Sequence, residues 1–395
     1  MQKNHAHFFE PGLDDLIDFH NHKNFNCVDE FPVDKKFDAF IITVGTPLQN
    51  GSKEPNFSAI TAAINSISKV YDGSQLVILR STVSVGTTRN VVMPMLSEIC
   101  GKKDILISMC PERTVEGKAI EELTHLPQII SGNNKKAINM AKQIFLQMTN
   151  SIIEAESLEE AELVKLYCNT YRDMNFSIGN AFCLAAQTFG VNGTKVIKHA
   201  NEGYNRASIA LPGFVAGPCL EKDSYILTNN MVNCPSREFI LNARNINESL
   251  EDEVINWIKT HIGSPAKEKV ITLSGMAFKG RPETSDLRGS SSVNIARKLN
   301  KLGYNLKLHD FVANVDEMSN LGFGKVYEDL NTACIDSTAL IILNNHKKYS
   351  EIQSICNLKK NTVILDTWDV CTNFDNKYSN IYTLGDMNLE VGEVI

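Results

Sequence analysis

Apolar residues recur along the chain in short blocks, and the spacing of the blocks divides it into three stretches. After about thirty polar, irregular residues, positions 37–44 (FDAFIITV) form an apolar run that ends in Gly45-Thr46-Pro47. That pattern predicts a buried strand entering a loop. A helical pattern follows over 56–70, then a second run, 75–79, ending in Arg80-Ser81-Thr82. Another helical pattern precedes a third run, 104–109, which enters Cys110-Pro111-Glu112. Strands alternating with helices predict a parallel sheet with helices on its faces. Ligands of such sheets gather beyond the C-terminal strand ends, here Thr46, Thr82 and Glu112.

The middle of the chain is helical. Ser157-Leu-Glu-Glu160 is a capping box, and the helix it opens has a pattern extending to Gly190. That length suits a spine joining two lobes or a subunit contact. Further helices are predicted over 194–202 and 236–262, after which alternation returns. Strands are expected at 270–274, 305–309, 339–343 and 362–365, with a helix over 290–302 closed by Gly303. The predicted domains are therefore 1–155, an α/β unit; 156–262, a helical region; and 263–395, a second α/β unit.

Composition narrows the function. With 43% hydrophobic and 22% charged residues, the 395-residue chain is no disordered, collagen-like or coiled-coil protein. Its 39 basic and 46 acidic side chains leave a net charge of −7, against binding to nucleic acid or an anionic membrane. No stretch reaches the ~18 apolar residues of a membrane span, and the start lacks the apolar core of a signal peptide. Ten cysteines, none in a C-x-x-C pair, indicate neither zinc knuckles nor a disulfide framework. The expected compartment is the cytoplasm.

Four constellations could carry chemistry. In Pro212-Gly-Phe-Val-Ala-Gly-Pro-Cys219, small residues let a backbone approach a ligand, and Cys219 precedes Lys222-Asp223. Cys219 is either a nucleophile favoured by a nearby cation or a buried structural cysteine. Lys165 and Asn169 share a helix face, and a solvated ion pair with Glu162 is the simpler reading of Lys165. Glu112 and Glu116 suit acid–base chemistry or the acidic first turn of a helix. The basic loop 275–288 leads into a helix N-terminus and suits a phosphate. The pairs His5/His7 and His20/His22 follow no hydrophobic strand, so no metal site is expected. Gly322-Phe-Gly324 lacks the third glycine of a dinucleotide loop.

In order, Phe9-Glu-Pro-Gly-Leu13, Val44-Gly-Thr-Pro47, Ser81-Thr-Val83, Pro111-Glu112 with Glu116, 162–169, Gly217-Pro-Cys219 with Lys222-Asp223, and 277–288 resemble the UDP-glucose/GDP-mannose dehydrogenase family over nearly the whole chain. The resemblance implies two Rossmann-like domains joined by a long central helix used in dimerisation. It also implies two NAD-dependent oxidations of a nucleotide sugar's primary alcohol, supplying uronic acid for a surface polysaccharide. On that resemblance Cys219 is the nucleophile, and Lys165 and Asn169 stabilise an oxyanion. Asp223 and Thr82 position water, and Glu112 assists thioester hydrolysis. Thr46, Thr82, Glu116, Lys222 and Arg288 contact NAD. The sugar nucleotide is held by Glu112, Lys165, Asn169, Gly217 and Lys279, with Arg206 reaching it from a partner subunit. UDP-glucose is the expected substrate because Lys222-Asp223 follows the cysteine; UDP-N-acetylhexosamines and GDP-mannose are the alternatives, as is a non-catalytic sugar-nucleotide-binding protein.

Three departures from the family pattern stand out. The G-x-G-x-x-G segment is missing, about 50 residues judged from a ~30-residue βαβ unit, which predicts an open sheet edge. The family's Gly-Gly-Ser-Cys is Ala216-Gly-Pro-Cys219, and its Asp-Gly-Arg is Asp366-Thr-Trp368.

Overall fold

Each apolar run of the first third becomes a strand, shorter than its run. The computed structural model describes residues 6, 8–21, 23–49, 51–371 and 381–389, so His5, His7 and His22 lie outside the described residues. The chain divides into two compact units, Met1–Tyr171 with Lys222–Glu238, and Arg172–Glu221 with Phe239–Ile395.

In the first unit, α1 (Leu13–His20) interrupts the stretch expected to be irregular. It was illegible because it buries only Ile17, too little for a periodic apolar stripe. Strands β1 (Ala39–Ile42), β2 (Leu76–Leu79) and β3 (Leu106–Met109) form a parallel sheet in that order, with Ile42 beside Leu79 and Leu79 beside Met109. All four β2 side chains are fully buried, as a strand covered on both faces requires. Helix α2 (Ser58–Ile67) buries Ile60, Ile64 and Ile67, one apolar stripe at helical spacing, and α3 is Met93–Cys100. Beyond β3 come α4 (Ala119–His125), β4 (Gln128–Ile130), α5 (Lys135–Phe145) and β5 (Ile152–Glu154). The strands β4 and β5 pair with each other in parallel, and three residues apiece is too short a run to read from periodicity.

The open edge is there. No described strand pairs with the outer side of β1, and Ile41 is 46% exposed. Beside it lies a cavity of about 480 Å³ lined in part by Phe31, Phe37, Phe40 and Ile67.

The long helix α6 spans Leu158–Gln187, and α7 (Gly193–Asn201) follows. Next come α8 (Leu220–Thr228) and α9 (Ser236–His261). In the second unit, β6 (Val270–Ser274), α10 (Ser291–Lys301), β7 (Asn305–His309), β8 (Lys325–Tyr327), β9 (Ala339–Ile342), β10 (Val363–Asp366) and β11 (Ile381–Thr383) build an all-parallel sheet of order β11-β10-β9-β6-β7-β8. Its core packs Val254, Trp257 and Ile258 of α9 with Ile271 and Leu273 of β6 and Ile295 and Leu299 of α10. Among the described residues no helix is long and apolar enough to cross a membrane.

Candidate active site

The first unit collects its polar side chains at the C-terminal ends of β1, β2 and β3. Thr46 is buried, and its Oγ1 donates to the Thr82 carbonyl at 2.5 Å, which ties the loop after β1 to the loop after β2. Glu112 follows β3 and stands outside any helix, so the helix-first-turn reading of it fails. Its Oε1 accepts the Arg113 and Thr114 amides at 2.6 and 2.8 Å, and its Oε2 pairs with Arg80. Burial pushes this carboxyl up, but the Arg80 charge, the Thr114 amide, the Arg80 hydrogen bond and the Arg113 amide outweigh burial and hold it below the usual range. Glu116 is half-buried in the same loop.

Helix α6 brings Glu162, Lys165 and Asn169 into buried positions. The ion pair expected between Glu162 and Lys165 is absent. Glu162 instead accepts from the Gly86 amide at 2.5 Å, the Thr88 amide at 2.8 Å and the Thr88 hydroxyl at 2.6 Å. Those donors open the turn that leads into α3, where orphan amides need an acceptor. Burial nevertheless raises the Glu162 carboxyl. Lys165 is thus released from the pairing that made it look ordinary. One turn on, the Asn169 Nδ2 donates to Asp223 Oδ2 at 2.6 Å, and Lys222 Nζ meets Asp223 Oδ1 at 2.8 Å. Asp223 is fully buried, and both of its oxygens are paired, as a buried carboxylate requires.

In the second unit, Cys219 immediately precedes α8 and is exposed, which removes the buried-structural reading. The loop leading to it is built by close approaches. Gly217 has φ 97°, and a Cβ there would stand 2.5 Å from the Phe278 ring, so only glycine fits. Its amide donates to the Gly289 carbonyl at 2.8 Å. Gly213 packs as closely on the Trp368 ring, whose Nε1 donates to the Leu343 carbonyl at 3.0 Å. The Trp368 indole thus walls the loop at Gly213.

A buried polar network pins the same loop from behind. Asn180 bonds both the amide and the carbonyl of Gly213, and it donates to Asn247 Oδ1 at 2.8 Å. Asn247 donates to Asp173, which pairs with Arg244 at 2.7 Å. Arg244 also donates to the Val215 carbonyl at 3.0 Å and the Leu220 carbonyl at 3.2 Å, bracketing Cys219. Sequence reasoning singled out none of Asn180, Asn247, Asp173 or Arg244. Their polarity on long helices looks like ordinary solvated surface until the burial is known.

The basic loop after β6 is as expected, running from Ser274 to the start of α10. Lys279 Nζ lies 5.2 Å from the Phe278 ring centre, and Arg288 makes a forked pair with Asp286. Arg206 is exposed and stacks over Tyr204. Of the expected site residues, then, the structure joins Thr46 with Thr82 and Asn169 with Asp223 and Lys222. His20 bonds Asn24 at 2.8 Å, and no group of three or more metal-ligating side chains occurs among the described residues.

Three family models match the chain in succession along its length. Residues 1–149 match the NAD binding domain model of the UDP-glucose/GDP-mannose dehydrogenase family, 159–249 its central domain and 272–373 its UDP binding domain. A UDP-N-acetyl-D-mannosamine dehydrogenase of Methanococcus vannielii is 32% identical over 372 residues, covering 91% of this chain and 82% of its own. One of Campylobacter jejuni is 32% identical over 309 residues, covering 76% and 74%. Among solved structures, the UDP-N-acetyl-mannosamine dehydrogenase of Staphylococcus aureus superposes with a TM-score of 0.82 at 27% identity, covering 98% of this chain and 89% of its own. The corresponding Pyrococcus horikoshii structure gives 0.81 at 26% identity, covering 97% and 90%.

Proposed function

The chain belongs to the UDP-glucose/GDP-mannose dehydrogenase family, and from that premise we propose that it oxidises the primary alcohol of a UDP-N-acetylhexosamine, UDP-N-acetyl-D-mannosamine first, to the uronic acid. It is a nucleotide-sugar dehydrogenase, and its cofactor is NAD. The choice of sugar follows the relatives, which are named for UDP-N-acetyl-D-mannosamine. UDP-glucose, the sugar expected from the Lys222-Asp223 pair, gives way because these relatives are named for another sugar.

The described residues fit NAD in part. The ends of a parallel sheet are where a dinucleotide rests, and Thr46, Thr82 and Glu116 follow β1, β2 and β3. The glycine-rich turn that would cradle a pyrophosphate against a helix start occurs nowhere in the sequence. When bound, NAD supplies a hydride acceptor.

The observation that carries the reading is the start of α8. Cys219 stands exposed before its first residue, and Asp223, one turn in, is held by Asn169 and Lys222. A helix start favours negative charge on sulfur. In the proposed reaction Cys219 Sγ adds to the aldehyde made by the first oxidation, giving a thiohemiacetal, and the second oxidation leaves a thioester. Lys165 and Asn169 stabilise the oxyanion of the addition. Thr82 and Asp223 place water, and Glu112 assists its attack. Lys279, Gly217 and Arg206 hold the sugar nucleotide, while Lys222 and Arg288 complete the cofactor contacts. Helix α6 exposes Tyr167, Tyr171, Ile178 and Phe182 at helical spacing, an apolar stripe that suits a second copy of the chain; light scattering at the mass of a dimer tests it.

The test of function is an NADH assay with UDP-N-acetyl-D-mannosamine, UDP-glucose and GDP-mannose. Two NADH per UDP-N-acetyl-D-mannosamine, and no uronic acid from Cys219→Ser despite retained UDP-sugar binding, is the expected result. Faster turnover of UDP-glucose overturns the substrate, and UDP-sugar binding with no NADH from any sugar leaves the non-catalytic reading.

A further inference from the structure

Glu112 can assist hydrolysis only if its carboxylate is ionised and aimed, and what aims it lies on the neighbouring strand. We propose that Arg80 is the positioning residue for Glu112, holding the carboxylate in one orientation with a single acceptor site left for the hydrolytic water. The inference rests on the reading of Cys219 and Glu112 given above.

A carboxylate offers about four lone-pair sites. Oε1 of Glu112 spends both of its own on the Arg113 and Thr114 amides. Oε2 spends one on Arg80 Nη2 and keeps one. The Glu112 side chain is 32% exposed, so water reaches it, whereas that of Arg80 is 8% exposed. Arg80 is itself held from several sides. Its Nη1 donates to the Cys110 carbonyl at 3.1 Å, both Nη atoms reach Gln128 Oε1 at 3.2 Å, and the guanidinium lies 4.8 Å from the Phe145 ring centre. Those partners come from the end of β3, from β4 and from α5, so the fork has one pose. A lysine could bring the charge but not the fork.

The arrangement also defines what Glu112 does. Held as a carboxylate below its usual range, it is a poor store for a proton and a good fixed acceptor. In the hydrolytic step the water oxygen bonds to the acyl carbon and the carbon–sulfur bond breaks with its electron pair leaving on Cys219 Sγ. One water proton ends on that thiolate, and the acid product ionises to solvent. Glu112 orients the water and stabilises the partial positive charge it gains during attack.

The test is deacylation measured in Arg80→Met, Arg80→Lys, Gln128→Met and Glu112→Gln beside the wild type, with UDP-N-acetyl-D-mannosamine and NAD⁺. Arg80→Met and Glu112→Gln are expected to give a burst of NADH followed by turnover about 10- to 100-fold slower. Intact mass should then show the acyl group accumulated on Cys219, with KM for the sugar falling alongside kcat so that kcat/KM stays within about twofold of wild type. Arg80→Lys is expected to recover only part of the rate. Gln128→Met, which keeps the charge but frees the fork, should lie between it and the wild type; these two variants carry the test if Arg80→Met does not fold. Wild-type turnover in Arg80→Met, or a slower rate with a raised KM and no added mass on Cys219, overturns the proposal. A wild type that makes no NADH overturns the functional reading itself, and this inference falls with it.

Discussion

Arg244→Met should destabilise the second unit far more than its distance from any reacting group suggests. Arg244 and Asp173 are 3% and 1% exposed at their side chains. Removing the guanidinium takes the charged partner from a buried carboxylate that Asn247 also bonds, and it strips the Val215 and Leu220 carbonyls of a partner. Breaking a buried pair by deleting one member costs about 3–5 kcal/mol. Orphaned carbonyls cost about 1–3 kcal/mol each, but these losses share one network and do not simply add. For a unit of roughly 200 residues, about 3–5 kcal/mol corresponds to a fall in melting temperature of roughly 6–20 °C. Glu248→Ala is the control. It removes the 3.5 Å contact to Arg244 from a carboxylate 40% exposed, and a surface contact of that kind is worth below about 1 kcal/mol. Differential scanning calorimetry reads both variants, and iodoacetamide labelling of Cys219 reads the loop the network holds. Adding Asp173→Asn to Arg244→Met should restore part of the loss, because the stranded charge is then gone. A fall under about 3 °C for Arg244→Met, or equal falls in the two single variants, would refute the claim that this pair holds the loop.

Gly217→Ala should cost about 2–4 kcal/mol, combining a left-handed backbone penalty with a clash against the Phe278 ring, and circular-dichroism melts check it; a loss under about 1 kcal/mol would mean the loop simply shifts. His309 is fully buried between Ser274, which its Nδ1 meets at 2.8 Å, and Phe311. Burial pushes its imidazole from 6.5 down to about 4. Between those values the unfolded chain binds a proton that the folded chain does not, so stability is full above pH ~6.5 and falls, by up to roughly 3 kcal/mol, as pH drops to ~4. His309→Gln should flatten that slope in urea titrations at pH 7 and 4.5; an unchanged slope would assign the acid sensitivity to other groups.

The central strands of the two sheets were legible because they are buried on both faces. Runs such as Leu76–Leu79 are continuously apolar, and turn residues bound them. What escaped was short or sparsely buried. The helix Leu13–His20 hides one side chain, and β4 and β5 have three residues each. The ion pair assigned to Glu162 and Lys165 failed for a related reason. Spacing on a helix shows which side chains are neighbours but not which of them is buried. A buried carboxylate takes the donors that most need an acceptor, here the Gly86 and Thr88 amides.

The split between what was read and what was missed follows the physics of a reactive group. Chemistry restricts residue type at the reacting atoms: a thiol to bond carbon, an ammonium or amide to meet an oxyanion, a carboxylate to orient water. Such residues carry their meaning in their identity and order along the chain. The side chains that aim them are chosen by the fold. Arg80 finds Glu112 because parallel pairing sets Leu79 beside Met109, which places Arg80 alongside Cys110 and the carboxylate just beyond it. Arg244 finds the Cys219 loop from a helix whose sequence looks solvated. Once strand order and register are known, the first relation can be derived from the sequence, because parallel register carries across the ends of both strands. The second cannot, because it depends on which face of α9 is buried, and that is decided only when the helix packs.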